Sequence, residues 1–441
     1  MSLTLSAQPA ESVAELGHQA SALDPRRQWA KPDLGHFLAL VTQLALLLAV
    51  LHVFRVEQFG PKDSGFFLMS SLAFGAFTVH YWLPFQFKER FWIGISFLGA
   101  AAMLDWRVIL GLLGAGAAFY LVLSRDIPYW RRAGLVAAGF AVAMVVSATG
   151  HYTRFWAAFG SVFMFRMIIY AHDVRYIKGR PPLNDYLAYF FILPNLYFHF
   201  FPVIDYTTMR LSYYRRDINH VAQQGVWWIC RGTSHLLLYR IVYYLKDTTT
   251  VTSLGSLLWY LLLTFLLYLR VSGQFHIIVG MLHLFGYDLP ETNHKYLLSR
   301  SLMDFWRRIN IYWKDFMVKI VYFPVYFRLR KKGIVPAQMA GMAAVIVATW
   351  VLHSYQSFWL SGRVVFSGTD TLYWAILGAL VMVNVWVENH KPSGPVVQRW
   401  QKRLRKGLSV VVTGVVVVTL WSLWSSPTVA AWGDLLSWWK H

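Results

Sequence analysis

The sequence predicts an all-α polytopic membrane protein of about ten or eleven transmembrane helices, with additional re-entrant or interfacial helices. Of its 441 residues, 57% are hydrophobic and only 14% are charged, whereas soluble chains carry about 25% charged residues. Many apolar runs approach the roughly 20 residues that cross a hydrocarbon core about 30 Å thick. Because the backbone in lipid must satisfy its own hydrogen bonds, these runs are expected to be helical.

The apolar runs differ in clarity along the chain. Weaker or interrupted runs lie at 91–104, 186–204 and 222–243. Pro194 and Pro202 each remove a helix donor within 186–204, and basic residues flank that run on both sides, which predicts a re-entrant pair. The clear runs are 36–55, 66–84, 107–124, 133–149, 155–171, 250–269, 335–360, 371–388 and 407–424.

The chain is expected to form one domain. Residues 36–425 are predicted to be a single transmembrane domain, between a polar N-terminal tail at 1–35 and a short C-terminal tail at 426–441. No internal repeat or long Ser/Gly linker divides the sequence. Cys230 is the only cysteine, which excludes disulfides and zinc ribbons.

The basic excess indicates a membrane surface. The formal net charge is +20, from 41 Lys and Arg against 21 Asp and Glu. Cytoplasmic loops that face anionic lipid account for most of such an excess, and no soluble basic face is left for nucleic acid. The weakly charged loops 150–154 and 361–370 are therefore expected outside. The basic, cytoplasmic segments are expected to be Arg125–Arg132, Arg175–Arg180, Arg328–Lys332 and Lys391–Lys406.

The segment Ser299–Phe316 combines basic and aromatic residues. Read as one helix, it places Arg307, Asn310 and Lys314 on a shared face, with Trp306 on an adjoining apolar stripe. Residues 300–332 hold nine basic and two acidic side chains, a net of +7. Such a segment is either a snorkelling interfacial helix or an anion-binding mouth.

The second candidate region is the predicted helix 334–361, which contains His353. Thr349, Trp350, Gln356 and Ser357 lie three or four residues from His353 and form a polar stripe in an otherwise apolar helix. A polar group inside a membrane helix favours a functional site, although a lone core histidine is the simpler alternative. His276 and His283 share a helix face, but no third ligand sits at metal spacing, so no metal site is expected.

Several motifs together resemble the membrane-bound O-acyltransferase (MBOAT) family, in particular the bacterial branch of alginate O-acetylases and the lipoteichoic-acid D-alanyl transferase. The resemblance covers roughly residues 150–390. Its hallmark is a histidine in a long hydrophobic helix, here His353 in TWVLHSYQSFW. The other matching pieces are Phe201–Pro202, Gly280–Leu289 followed by Pro290, Phe305–Arg308 and Tyr322–Pro324.

Two departures from the family pattern bear on the acceptor. Ile309–Asn310 follows FWRR where the polysaccharide-modifying branch has Trp-His, which makes an Asn-His rather than a His-His pair. An asparagine there is typical of the lipid- and peptide-acylating branches. Asp205–Thr207 stands where the family's FFP segment continues with Gly-Pro.

The resemblance implies transfer of an acyl group from a thioester, on acyl-CoA or an acyl carrier protein, to a hydroxyl of a lipid, glycan or small molecule. His353 is then the general base, and Asn310 orients the acceptor or donates to the thioester carbonyl. No cofactor beyond the acyl thioester is implied, and a bacterial plasma (inner) membrane is expected. The implied substrate-binding residues are Trp306, Arg307, Arg308, Lys314, Trp350 and Gln356.

Two other functions stay open at this point. A catalytically silent relative would bind only a lipid or a partner and would have no need of an imidazole at position 353. A transporter would have inverted repeats and paired broken helices, which the sequence does not display.

Overall fold

A computed structural model describes residues 26–57, 65–150, 153–177, 179–198, 201–390, 399–437 and Trp439. Most of the predicted N-terminal tail, part of the basic segment Lys391–Lys406 and the last residues of the C-terminal tail lie outside this range. The same applies to the two residues immediately before Phe201.

The described chain is helical, and its only β pairing is an isolated bridge between Tyr213 and Tyr287. The all-α prediction is confirmed. The helices are α1 Arg26–Trp29, α2 Leu34–Phe54, α3 Gly65–Trp82, α4 Phe85–Met103, α5 Trp106–Leu123, α6 Tyr129–Ala148, α7 Thr153–Phe163, α8 Arg166–Val174, α9 Leu183–Phe190, α10 Leu193–Tyr197, α11 Tyr206–Ser212, α12 Ile218–Thr248, α13 Leu254–Leu266, α14 Leu269–Leu284, α15 Leu302–Arg308, α16 Ile311–Met317, α17 Phe323–Leu329, α18 Ile334–Ser361, α19 Gly368–His390, α20 Arg399–Ser425 and α21 Val429–Leu436.

Eight segments of the described chain are long and apolar enough to cross a membrane. The chain is therefore a multi-pass membrane protein, as its composition predicts. The eight segments are Leu34–Phe54, Trp106–Leu123, Tyr129–Ala148, Arg154–Val174, Leu254–Leu284, Ile334–Ser361, Gly368–His390 and Arg403–Ser425.

Four of the predicted runs are not among these eight segments, namely 66–84, 91–104, 186–204 and 222–243. Residues 186–204 form α9 and α10, of 8 and 5 residues, which are too short to cross a bilayer. Phe191 and Ile192 lie between the two helices and are not helical. Pro194 lies in the first turn of α10, where its missing N–H breaks no helical hydrogen bond. Runs 66–84 and 222–243 do form helices, α3 and part of α12, but these are not among the eight.

The chain forms two compact units, and the division falls within α12, α14 and α18. Unit 1 comprises residues 1–231, 277–290 and 359–362, and unit 2 comprises residues 232–276, 291–358 and 363–441. The earlier expectation of one transmembrane domain stays a prediction.

Unit 1 has an aromatic core and a partly buried charged network. Phe159 packs 5.1 Å from Trp359 and 5.3 Å from Phe163, measured between ring centroids. Arg210 on α11 contacts Glu89 and lies 3.0 Å from Asp185, and all three side chains are less than a fifth exposed. These ion pairs tie α11 to α4 and α9.

Unit 2 packs α18, α19 and α20 around one hydrophobic cluster, which carries the candidate site. Its centre includes Ile346, Trp374, Leu377 and Leu423, all less than a tenth exposed. Close packing of this kind fixes side-chain rotamers, so residues that border the cluster are held in one arrangement.

Ser299–Phe316 is not a single helix, so the prediction of one face shared by Arg307, Asn310 and Lys314 is wrong. Helix α15 ends at Arg308, Ile309 is extended, and Asn310 has φ +41° and ψ +62°. Asn310 then begins α16 as its N-cap. Asparagine tolerates this left-handed conformation and favours helix starts, and these local preferences outweigh the helical periodicity of the sequence.

Candidate functional site

His353 lies in α18, and three indole rings pack around its imidazole. Its ring centroid is 5.4 Å from that of Trp374, 5.6 Å from that of Trp424 and 6.1 Å from that of Trp313. Neither ring nitrogen hydrogen-bonds to any residue that the structure describes. The imidazole is thus held by packing while its nitrogens stay available.

The imidazole lines a cavity of about 160 Å³ inside unit 2. One water needs about 10–15 Å³ by this measure, so the cavity admits a small organic group. The sequence-predicted polar stripe contributes Ser357, while the cavity also includes residues after α18. Its lining residues are His353, Ser354, Ser357, Val365, Ser367, Asp370 and Trp424.

Asp370, in the first turn of α19, is the acidic group of the cavity. Its Oδ1 accepts the indole N–H of Trp424 at 2.9 Å and that of Trp374 at 3.2 Å. Its backbone N–H donates to Ser367 Oγ at 3.0 Å, which caps the start of α19. The other carboxylate oxygen, Oδ2, is buried, and the indole N–H of Trp350 also interacts with this carboxylate.

Sequence reasoning missed Asp370 because it assigned 361–370 to an outer loop. The available signal was the spacing of Asp370 and Trp374, four residues apart at the start of an apolar helix. Such a pair meets on one helix face. The contribution of Trp424 comes from a distant helix and has no local signal.

Asn310 is fixed from two sides. Its Oδ1 accepts the backbone N–H of Trp313 at 3.3 Å, and its own backbone N–H donates to Asn293 Oδ1 at 2.9 Å. Because Trp313 also packs against His353, Asn310 is linked to the imidazole through one residue. The Asn-His pair of the sequence analysis therefore lies within one unit, although no direct Asn310–His353 contact is present among the described residues.

Asn293 is a second residue that sequence reasoning missed. It is fully buried, and its Oδ1 also accepts the hydroxyl proton of Tyr268 at 3.1 Å. Its amide donates to Ser272 Oγ and to Thr292 Oγ1, both at 3.2 Å. A buried amide with this many partners is rigid, so Asn293 fixes the position of Asn310.

The predicted substrate-binding tryptophans pack close to the site. Trp306 and Trp350 both border the α18–α19–α20 cluster, and the Trp350 ring lies 4.9 Å from Phe366. The indole N–H of Trp350 is buried and interacts with the Asp370 carboxylate. Gln356 is half-buried but does not line the cavity.

The predicted anion-binding cations differ in their contacts. Arg308 Nε lies 2.7 Å from Asp304 Oδ1, and Lys314 Nζ lies 2.5 Å from Asp315 Oδ1. Arg307 is exposed and has no ion pair with any described residue. Of these three cations, Arg307 has the charge most accessible to an anion.

The GMLHLFGYDL motif, Gly280–Leu289, has a structural role in unit 1. The guanidinium of Arg216 donates to Asp288 Oδ2 at 2.6 Å and to Asp288 Oδ1 at 2.5 Å. Partial burial works against the charged form, but the two hydrogen bonds and the positive charge of Arg216 dominate, and the pKa of Asp288 lies below its ordinary value. Asp288 also donates its backbone N–H to Ser212 O at 3.0 Å.

The site combines an available imidazole, a half-buried carboxylate and hydroxyl groups, which suits proton transfer and recognition of small polar groups. No set of three or more His, Cys, Asp or Glu side chains in the described ranges could hold a metal ion. A scan of the chain against protein-family models finds no match, and a search of curated proteins finds no significantly similar sequence.

Proposed function

We propose that this multi-pass membrane protein is an O-acyltransferase of the MBOAT kind. In this proposal an acyl group passes from a thioester, acyl-CoA or an acyl carrier protein, to a hydroxyl-bearing acceptor in a bacterial plasma membrane. The observation that carries it is that His353, in an otherwise apolar membrane helix, lines a cavity together with Ser354, Ser357, Ser367 and Asp370. Such groups are costly in lipid and are found where they function.

In the proposed reaction His353 is the general base. The acceptor hydroxyl gives its proton to a free ring nitrogen of His353 and attacks the thioester carbonyl. The carbon–sulfur bond breaks, the ester bond forms, and the proton passes to the departing thiolate. Ser354 and Ser357 beside His353 have their protons engaged, because their hydroxyls donate to Val365 O and His353 O, so neither serine is assigned as a nucleophile.

The role of His353 is testable with purified protein in lipid nanodiscs. We expect His353→Ala to lower thiol release from acyl-CoA on the order of 10²–10⁴-fold, as loss of a general base does. The matched control is His390→Ala, at the exposed end of α19. Melting temperatures of both variants report whether they fold.

Near-normal turnover by a folded His353→Ala variant would exclude His353 as the base. No thiol release by the wild-type protein with any acyl donor or membrane extract would favour the silent, lipid-binding alternative.

A further inference from the structure

The imidazole of His353 is oriented by neighbouring rings, because neither of its nitrogens hydrogen-bonds within the described chain. The χ2 torsion of a histidine is broad, so packing selects the plane of this ring. The indoles of Trp374 and Trp424 lie 5.4 and 5.6 Å from it between centroids, at interplanar angles of 32° and 74°. The direction in which the ring nitrogens point therefore depends on where these two indoles lie.

One carboxylate holds both of these indoles. Asp370 Oδ1 accepts the indole N–H of Trp424 at 2.9 Å and that of Trp374 at 3.2 Å. The indole N–H of Trp350 also interacts with this carboxylate. Hydrogen bonds to an ionised acceptor are roughly twice as strong as neutral ones. Asp370 thereby ties rings from α18, α19 and α20 to one point.

The Asp370 carboxylate acts on these side chains and not on an occupant of the cavity. Its Oδ1 already accepts two N–H groups, and its Oδ2 is buried. The backbone N–H of Asp370 donates to Ser367 Oγ at 3.0 Å, which fixes the residue in the first turn of α19. In the part of the chain that the structure describes, the side-chain donors to this carboxylate are all indoles.

We propose that Asp370 is a positioning residue for the base and that it acts through the indoles of Trp374 and Trp424. The inference rests on the proposed acyl transfer, in which His353 takes the proton of the acceptor. A general base is commonly oriented by a group that hydrogen-bonds its second nitrogen, and here packed rings take that role. A displacement of about 1 Å near reacting groups can cost roughly 10²-fold in rate.

Substitutions at two residues separate hydrogen-bond acceptance from charge. Asp370→Asn removes the charge but keeps a carbonyl oxygen that can accept both indole N–H groups. Asp370→Leu keeps the branching of the side chain and has no acceptor. Trp374→Phe keeps an aromatic ring beside His353 but removes one donor, and Trp374 does not line the cavity.

Matched controls lie in the same unit. Trp432 borders the α18–α19–α20 cluster, and its indole N–H donates to Ser422 Oγ at 3.0 Å. Trp432→Phe therefore removes an indole hydrogen bond away from His353. Asp434→Leu removes a carboxylate that is exposed on α21.

The first measurement needs no turnover. The imidazole resonances of His353 are recorded in ¹⁵N,¹³C-histidine-labelled protein in nanodiscs and assigned with His353→Ala. We expect Asp370→Leu to shift and broaden these resonances, while Asp370→Asn and Asp434→Leu leave them close to those of the wild type. Unchanged resonances in a folded Asp370→Leu variant would overturn the proposal and leave Asp370 a purely structural role at the start of α19.

The second measurement is thiol release from acyl-CoA, with melting temperatures of all variants. We expect Asp370→Leu and Trp374→Phe to lower kcat about 10–100-fold without a change in the KM for acyl-CoA, because only the geometry of the base is altered. Asp370→Asn should retain most of the turnover, and Trp432→Phe should match the wild type. If Asp370→Leu does not fold, Trp374→Phe against Trp432→Phe decides. Equal losses in those two variants, or in Asp370→Asn and Asp370→Leu, would overturn the proposal. The expected change in the His353 resonances without thiol release by the wild type would uphold the positioning role and contradict the acyltransfer proposal.

Discussion

Asn310 shows how one side chain can serve both backbone geometry and a site. Its left-handed backbone turns the chain between α15 and α16, and its Oδ1 caps α16. The cap is formed by the oxygen, so the amide N–H groups of the same side chain are available for the acceptor or the thioester carbonyl. The structural role and the proposed chemical role therefore use different atoms.

These two roles can be separated by comparing Asn310→Gly with Asn310→Ala. Alanine loses the cap, worth about 1 kcal/mol, and also strains the left-handed backbone by about 1–2 kcal/mol. Glycine removes the strain and keeps much of the cap preference. We expect glycine to recover most of the melting temperature but not the turnover, which both variants should lower by less than His353→Ala. Full recovery of turnover by glycine would limit Asn310 to a backbone role.

The ion pair of Asp288 and Arg216 predicts a pH dependence of stability. Since the pKa of Asp288 is lowered in the folded protein, its contribution is complete above the unfolded pKa of about 3.9. The contribution is lost as the pH falls through the lower folded value. We expect the melting temperature of Asp288→Asn to lie below that of the wild type at pH 5–7, and the two to converge below about pH 4.

The measurement is a thermal unfolding series in detergent, with Asp434→Asn as the control. A gap between wild type and Asp288→Asn that stays constant down to pH 3 would contradict the assignment of the charged pair as its source.

At the scale of elements, the long apolar helices were predictable and the short ones were not. His353 falls within a 28-residue helix as the sequence indicated, because a long apolar run is a strong signal for a membrane helix. Residues 299–316 do not form the single helix that was predicted. Asn310 prefers a helix-cap conformation, and this preference interrupts the helical periodicity of the sequence. Asn293 was missed because its partner Tyr268 lies 25 residues away, in the turn between α13 and α14, and Asp370 was missed because 361–370 was assigned to an outer loop.

Helices α12 and α14 approach each other through glycines. In unit 1, a Cβ on Gly225 would lie 2.7 Å from Gly280 O, and a Cβ on Gly280 would lie 2.7 Å from Gly225 O. In unit 2, a Cβ on Gly273 would lie 2.9 Å from Gly232 O. Small residues allow membrane helices to pack backbone against backbone, where van der Waals contact drives association.

Gly280→Ala should therefore destabilise the protein. The added methyl meets backbone atoms, which cannot rotate away, and overpacking of this kind costs about 1–3 kcal/mol. The matched control is Gly75→Ala on α3, where the added methyl group meets nothing within 4 Å. The measurement is the melting temperature in detergent. Equal stability of the two variants would show that α12 and α14 can move apart without cost.

For the whole molecule, the net charge of +20 attracts anions, including anionic substrates, to the protein surface. Surface lipids attract much of this charge, so net charge alone does not identify a donor site. Arg307 differs from Arg308 and Lys314, since those two cations already have carboxylate partners. Binding of a phosphate-bearing donor such as acyl-CoA should therefore depend on Arg307 more than on Arg308 or Lys314.

The contribution of Arg307 to donor binding should depend on salt. We expect Arg307→Gln to raise the apparent KM for acyl-CoA several-fold at low salt, because a guanidinium binds phosphate through two parallel hydrogen bonds. The difference from wild type should shrink toward 0.5 M salt, since the screening length is about 10 Å at 0.1 M and shorter above it. Arg131→Gln, an exposed arginine at the start of α6, is the control for general surface charge, and the KM for the acceptor should not change. A donor KM that is indifferent to both salt and Arg307→Gln would point instead to a lipid-borne donor that enters from within the bilayer.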